Sequence, residues 1–204
     1  VFSKITKHPI CMLADSNWIY TNKVVLVGFE RKDAYAICLS CFFTEWVVAR
    51  QGAKFGVGAS LTLSLREAFE TYPLPDRIVS SEGISAASVF GEIASAWCSA
   101  AGKGLTAFAD ALGDENCTDS SIERARDLLN VIDQSVADAY GLEGTLNERG
   151  FHEATYIASA DSQSFVISQA SRALVQGHLV ALNRKQCSQA ESFLPELKIN
   201  GERV

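Results

Sequence analysis

Three stretches in the first half of the chain have hydrophobic patterns that predict regular structure. Residues 23–29, KVVLVGF, are a β-branched run and predict a buried strand. Residues 33–52 are apolar on most faces and predict one buried helix, capped by Asp33 and ended by Gly52. Residues 60–65, SLTLSL, alternate polar and apolar positions, which predicts a half-exposed strand.

The prolines Pro73 and Pro75 mark a boundary, because neither a helix interior nor a central strand accepts them. Beyond it, four segments have helical spacing: residues 85–101, 105–112, 120–140 and 168–192. The third begins with a capping box, Ser120 and Glu123, and ends before Gly141. Residues 142–165 have a looser pattern.

These patterns predict an α+β fold in two parts. Residues 1–77 form a small sheet packed on a buried helix, and residues 78–204 form an all-helical segment. The composition fits a folded globular chain, since 48% of the 204 residues are hydrophobic and 21% are charged. No segment has the length and apolarity of a membrane span or of a signal peptide, so we expect a cytoplasmic protein with no membrane partner. Because Met12 is the only methionine and Val1 comes first, we expect a fragment or a processed product.

Charge is divided unevenly between the two parts. Residues 1–77 contain nine Lys/Arg and seven Asp/Glu, whereas the remaining residues contain nine Lys/Arg and 17 Asp/Glu. The net charges are therefore +2 and −8, within a total of −6. A polyanionic ligand should meet the first part.

The six cysteines include one C-x-x-C pair, Cys38 and Cys41, inside the apolar run. A zinc site needs a second pair or histidines at ligand spacing, and the three histidines are scattered. A redox pair needs an exposed helix start after a strand. Both cysteines are therefore interpreted as buried thiols. Trp46, in the same apolar run, is interpreted as a core residue.

The glycine segment FGVG, residues 55–58, resembles a cofactor loop at first sight. A dinucleotide or S-adenosylmethionine loop joins a strand to a following helix, and here the predicted order is reversed. Leu61 stands where G-x-G-x-x-G needs its third glycine, and no G-K-[ST] follows. No two prolines are adjacent, so the Asn/Asp-Pro-Pro-aromatic tetrapeptide of an amino-methyltransferase is missing. We expect no catalytic group, no bound cofactor and no metal in this chain.

Several segments nevertheless resemble, in order, the C-terminal region of MmeI-like type IIG restriction-modification enzymes and related large adenine-specific DNA methyltransferases. The first segment runs from Leu39-Ser40 through Trp46 and the glycine segment to FETYPLP (residues 69–75). The others are VIDQSVADAYG (131–141), Ser171-Arg172 and Leu182-Asn183-Arg184. The matches span roughly residues 3–191, although residues 76–118 carry no matching motif.

The resemblance implies a target-recognition region that lies after the methyltransferase domain and packs around double-stranded DNA. The parent enzyme of a phage-defence system would bind S-adenosylmethionine in that missing domain. Arg, Lys, Ser and Thr suit phosphate and base contacts. The candidates for DNA binding are Lys4, Lys7, Arg31, Lys32, Arg50, Lys54, Ser60, Thr62 and Arg66.

Two other classes of function remain open from the sequence. One is an independent enzyme with a cofactor in the glycine segment. The other is a helical protein–protein interaction module without a DNA role, which the amphipathic helices at 120–140 and 168–192 would also suit. The resemblance favours DNA recognition, with weak binding by this chain alone because its net charge is −6.

Overall fold

Short antiparallel strand pairs lie at the start of the chain. The computed structural model describes residues 1–6, 8–14, 17, 19–51, 61–154 and 163–193. Strand β1 (Phe2–Ser3) pairs with β3 (Val24–Val25), and β2 (Ile5–Thr6) pairs with β4 (Leu61–Thr62). Lys4 joins the two pairs, because its N–H donates to the Lys23 carbonyl and its carbonyl accepts from Leu63 N–H, both at 2.8 Å. The strand predicted at 23–29 is therefore present but shorter.

The apolar run after Asp33 forms two helices, α1 (Ala34–Leu39) and α2 (Cys41–Gln51), and not the single helix predicted. Ser40 between them is extended, with φ −69° and ψ 159°. The Cys41 N–H, which begins α2, donates to Asp133 Oδ1 at 2.8 Å. A carboxylate 92 residues away therefore caps α2, and no local pattern could reveal this break.

The segment predicted as a strand at 60–65 is only partly extended. Strand β4 covers Leu61–Thr62, and a π-helical turn begins at Leu65 and ends at Phe69. Ser60 and Gly52, with the glycine segment between them, lie outside the described residues. Glu67 in this turn and Glu70 directly after it are both exposed.

The helices α3 (Ser81–Ala101), α4 (Leu105–Gly113) and α5 (Ser120–Ala139) follow. Gly102 ends α3 in the left-handed conformation, with φ +62°, as the sequence predicted. The N-cap of α5 is Asp119, whose carboxylate accepts from Ser121 N–H at 2.8 Å, so the predicted capping role of Ser120 is wrong.

An antiparallel hairpin lies in the stretch that was expected to be looser: β5 (Gly150–Glu153) pairs with β6 (Gln163–Val166). Helix α6 (Gln169–Phe193) follows it. The prediction of a mixed α+β fold with a helical C-terminal part is confirmed, and the hairpin is an addition to it.

One hydrophobic cluster contains residues of both predicted parts, from Phe2 to Leu179. Helix α3 packs along α5, α1 contacts both, and α2 packs on α6. Phe42, Phe90 and Ile132 are among its fully buried side chains. Among the described helices, none combines the length and apolarity that crossing a membrane requires.

Candidate nucleic-acid interface

The last turn of α2 presents an arginine at the protein surface. Arg50 is exposed, and its Cζ lies 4.3 Å from the ring centroid of Trp46, which is only 2% exposed. The Arg50 Nη2 donates to Asn183 Oδ1 of α6 at 3.1 Å. The core position predicted for Trp46 is confirmed, and its ring supports one face of a guanidinium group.

Helix α6 holds the FETYPLP segment through side-chain amides. Asn183 Nδ2 donates to the Thr71 carbonyl at 2.8 Å, and Gln186 Nε2 donates to the Leu74 carbonyl at 3.2 Å. A proline-containing segment has few partners for its carbonyl oxygens within regular structure, and these amides satisfy two of them. The segment is thereby fixed beside Arg50.

Tyr140, the residue that follows α5, contacts the same segment through its hydroxyl. The Tyr140 hydroxyl lies 2.8 Å from the Pro73 carbonyl and 2.9 Å from the Tyr72 hydroxyl. Since a hydroxyl carries one proton, Tyr140 donates to Pro73 and accepts from Tyr72. Burial raises the pKa of both hydroxyls, so both stay protonated. The Tyr72 ring also meets Trp46 edge-on, with centroids 6.1 Å apart.

A buried ion pair anchors the junction of α1 and α2. Asp133, on α5, accepts from Arg149 Nε at 2.7 Å and Nη2 at 3.0 Å, besides capping Cys41. Arg149 Nη2 also donates to the Leu39 carbonyl at 3.3 Å. Asp133 of the VIDQ segment is therefore joined directly to Cys41, the residue after Leu39-Ser40, and to Leu39 through Arg149.

A second buried pair links α2 to α6. Glu45 accepts from Arg172 Nε at 3.2 Å and from Gln176 Nε2 at 2.9 Å. Burial raises the pKa of Glu45, and the Arg172 guanidinium opposes this shift without cancelling it. The Ser171-Arg172 segment thus meets the same helix that carries Trp46 and Arg50.

These contacts bring together the described segments on which the resemblance depends. The Trp46 helix, FETYPLP, the AYG tyrosine and the Asn183 segment lie in one assembly, although up to 133 residues separate the hydrogen-bonded partners. Sequence reasoning identified the segments but not the hydrogen bonds between them. We call this assembly the motif cluster and define it by Trp46, Thr71–Pro73, Tyr140 and Asn183.

Besides Arg50, three of the predicted DNA-binding side chains are exposed on the first part of the chain: Lys4, Lys32 and Arg66. Lys23, which is not among the predicted residues, is also exposed and lies opposite Lys4, where β1 ends and β3 begins. The strand pairing would have revealed it, because cross-strand neighbours share a surface. Lys7, Lys54 and Ser60 lie outside the described residues, and Thr62 lies in β4 opposite Ile5.

Arg31 uses its guanidinium within the protein. Its Nε and Nη2 bind the fully buried Asp33 carboxylate at 3.0 and 2.8 Å, and its Nη1 donates to the Pro75 carbonyl at 2.9 Å. Asp33 was expected to cap α1, but its side chain makes no cap hydrogen bond and binds Val79 N–H instead, at 2.9 Å. Burial raises the pKa of Asp33, but the hydrogen bonds from Arg31 and Val79 outweigh it and the net shift is downward.

The cysteines Cys38 and Cys41 are 5% and 3% exposed, so their interpretation as buried thiols is confirmed. Burial raises the pKa of the Cys41 thiol well above its usual value, which keeps it protonated. Within the described ranges, no three His, Cys, Asp or Glu side chains cluster as metal ligands would.

Comparison with known proteins gives no relative for this chain: neither a family model, nor a curated protein, nor a solved structure matches it. The motif cluster and the exposed cations therefore carry the functional argument.

Proposed function

We propose that this chain is the DNA sequence-recognition region of a site-specific adenine DNA methyltransferase or restriction-modification enzyme. The observation that carries the proposal is the motif cluster. Segments that resemble one family, and that lie far apart in the sequence, contact one another through specific hydrogen bonds. Such contacts are what a shared structural unit requires, and they support the resemblance as a whole.

The catalytic domain lies elsewhere in this proposal, in the same parent chain or in an adjacent one. That domain binds S-adenosylmethionine and takes the target adenine out of the stack, which costs a few kcal/mol. The recognition region holds the duplex in register through phosphate contacts and reads base edges in a groove. Its cytoplasmic location follows from its DNA substrate.

The exposed cations indicate where the duplex lies. Lys4, Lys23, Lys32 and Arg66 belong to the part of the chain with net charge +2, whereas the remainder carries −8. A phosphate backbone is attracted to the first and repelled by the second. We therefore place the DNA against the small sheet and the π-helical turn, with weak affinity for this chain alone.

The helical interaction module receives less support than DNA recognition. The apolar positions of α5 and α6 that suggested it include Ile122, Ile132, Val175 and Leu179, which are all fully buried in the core, whereas Leu174 and Val180 of α6 are 37% exposed. The buried positions, which are the larger part of these faces, are not available for a partner.

The proposal is tested by removing two exposed cations. In a fluorescence-anisotropy titration with a 30-base-pair duplex, Lys4→Ala combined with Arg66→Ala should weaken binding by about tenfold or more at 0.1 M salt. The slope of log K against log salt should fall by about 1.8, which is roughly 0.9 for each lost phosphate contact.

The matched control is Lys103→Ala combined with Arg124→Ala, which removes the same charge from exposed positions of the second part. This pair should leave the slope unchanged. An equal effect of the two pairs would mean that net charge alone governs binding, and would contradict a DNA site on the first part. Absence of binding to any duplex at 50 mM salt would contradict the proposed function itself.

A further inference from the structure

We infer that Arg50 is a pre-positioned donor for a paired hydrogen-bond acceptor on DNA, and that Asn183 is its positioning residue. This inference rests on the proposed function and assigns a role within it. The paired acceptor is either the O6/N7 edge of guanine or two oxygens of a phosphate, since both match the planar guanidinium group.

Two contacts fix the plane of the Arg50 guanidinium. The Trp46 ring lies 4.3 Å from Cζ on one face, and Nη2 is held by Asn183 Oδ1 at 3.1 Å. The Trp46 ring is itself immobilised in the core at 2% exposure. An exposed arginine without such contacts would sample many rotamers, and binding would have to remove that freedom.

The orientation of Asn183 is fixed in its turn. Its Nδ2 donates to the Thr71 carbonyl at 2.8 Å, so its Oδ1 is the atom that faces Arg50. An amide turned the other way would place a donor against the guanidinium. Thr71 belongs to the FETYPLP segment, whose position Tyr140 and Gln186 also hold.

This arrangement leaves the other donors of Arg50 for a ligand. Arginine has five N–H groups in one plane. Within the described ranges, the one hydrogen bond from the Arg50 side chain goes to Asn183, and the residue is exposed. The second N–H of Nη2 therefore remains, and it forms a parallel pair with either the Nε–H or an Nη1–H group on a rigid, accessible cation, which is the geometry for bidentate recognition.

The test separates geometry from charge. Arg50→Lys keeps the charge but lacks the planar donor set, so it should weaken duplex binding by about 5- to 150-fold, almost as much as Arg50→Ala. The salt slope of Arg50→Lys should equal that of the wild type, because the charge is retained. Arg124→Lys, on the exposed surface of α5, is the matched control and should have no effect.

Two duplexes distinguish the acceptors. If Arg50 reads guanine, the loss in Arg50→Lys is larger on a duplex of G·C pairs only than on one of A·T pairs only. If it binds phosphate, the loss is equal on both. Asn183→Ala keeps the Arg50 side chain and its charge but removes the acceptor that orients it. It should therefore also reduce affinity without changing the salt slope. Thermal unfolding followed by circular dichroism verifies that each variant is folded.

Binding of Arg50→Lys within twofold of the wild type on both duplexes would overturn the inference. If Lys4→Ala/Arg66→Ala still weakens binding in that case, the proposed function survives and only the role of Arg50 is wrong. If neither change affects binding, both the role of Arg50 and the proposed function fail.

Discussion

Replacing Asp133 by Asn should destabilise the protein strongly, because one carboxylate holds three groups. Asp133 is 2% exposed and accepts from Arg149 Nε at 2.7 Å, from Arg149 Nη2 at 3.0 Å and from Cys41 N–H at 2.8 Å. Asparagine has nearly the same shape, so it creates no cavity. It removes the charge and turns an NH₂ group towards the guanidinium or towards the N-terminus of α2.

The magnitude follows from what remains buried. The Arg149 side chain is only 10% exposed, so the substitution removes the Asp133 charge from beside a nearly buried cation. Loss of one partner from a buried ion pair costs about 3–5 kcal/mol. For a chain of this size each kcal/mol lowers Tm by about 2–4 °C, so the expected shift is roughly 6–20 °C.

Urea unfolding followed by circular dichroism measures this change, with Asp127→Asn as the control. Asp127 is an exposed aspartate on the same helix, and its replacement should change the free energy of unfolding by less than about 0.5 kcal/mol. Adding Arg149→Met to Asp133→Asn should recover part of the loss, since the nearly buried cation is then removed together with the carboxylate. A cost below about 1 kcal/mol for Asp133→Asn would refute the anchoring role of the pair.

Two further predictions concern the packing of α3 and the Arg31–Asp33 pair. Gly83→Ala should destabilise the protein by about 1–3 kcal/mol in urea unfolding, because the added Cβ would lie 2.4 Å from Ser135 Cβ. Gly177→Ala, where nothing lies within 4 Å of the new Cβ, should instead stabilise by roughly 0.5–1 kcal/mol, and equal effects would contradict this packing. The pKa of Asp33 in the folded protein lies below the usual 3.8. The stability that the ionised Asp33 contributes is therefore complete above pH 3.8 and is lost as the pH falls below that value. The stability difference between the wild type and Asp33→Asn should therefore shrink as the pH is lowered from 5 to 3, and a constant difference would contradict the assignment.

The helical part was largely predictable because its signals are local. Apolar spacing identified α5, and Gly102 marked the end of α3 as expected from its positive φ. The capping residue was misassigned by one position, because Asp119 and Ser120 are both good N-caps and the sequence does not rank them.

The differences in the first part have nonlocal causes. The run from Asp33 breaks at Ser40 because Asp133 caps the second helix from another part of the chain. The Asp33 side chain accepts hydrogen bonds from Arg31 and from the Val79 N–H, and not from the N–H groups at the start of α1. The motif cluster has the same character, since Asn183 and Thr71 are 112 residues apart and nothing in either segment specifies the other.

The exposed lysines offer the most direct test of DNA recognition by the first part of this chain. Lysine acetylation of the unmodified protein, quantified by mass spectrometry with and without duplex DNA, reports on each ammonium group separately. Lys4, Lys23 and Lys32 should be protected by DNA, while the exposed Lys103 should react equally in both samples. Protection of Lys103, or identical reactivity of all four lysines with and without DNA, would contradict the proposal.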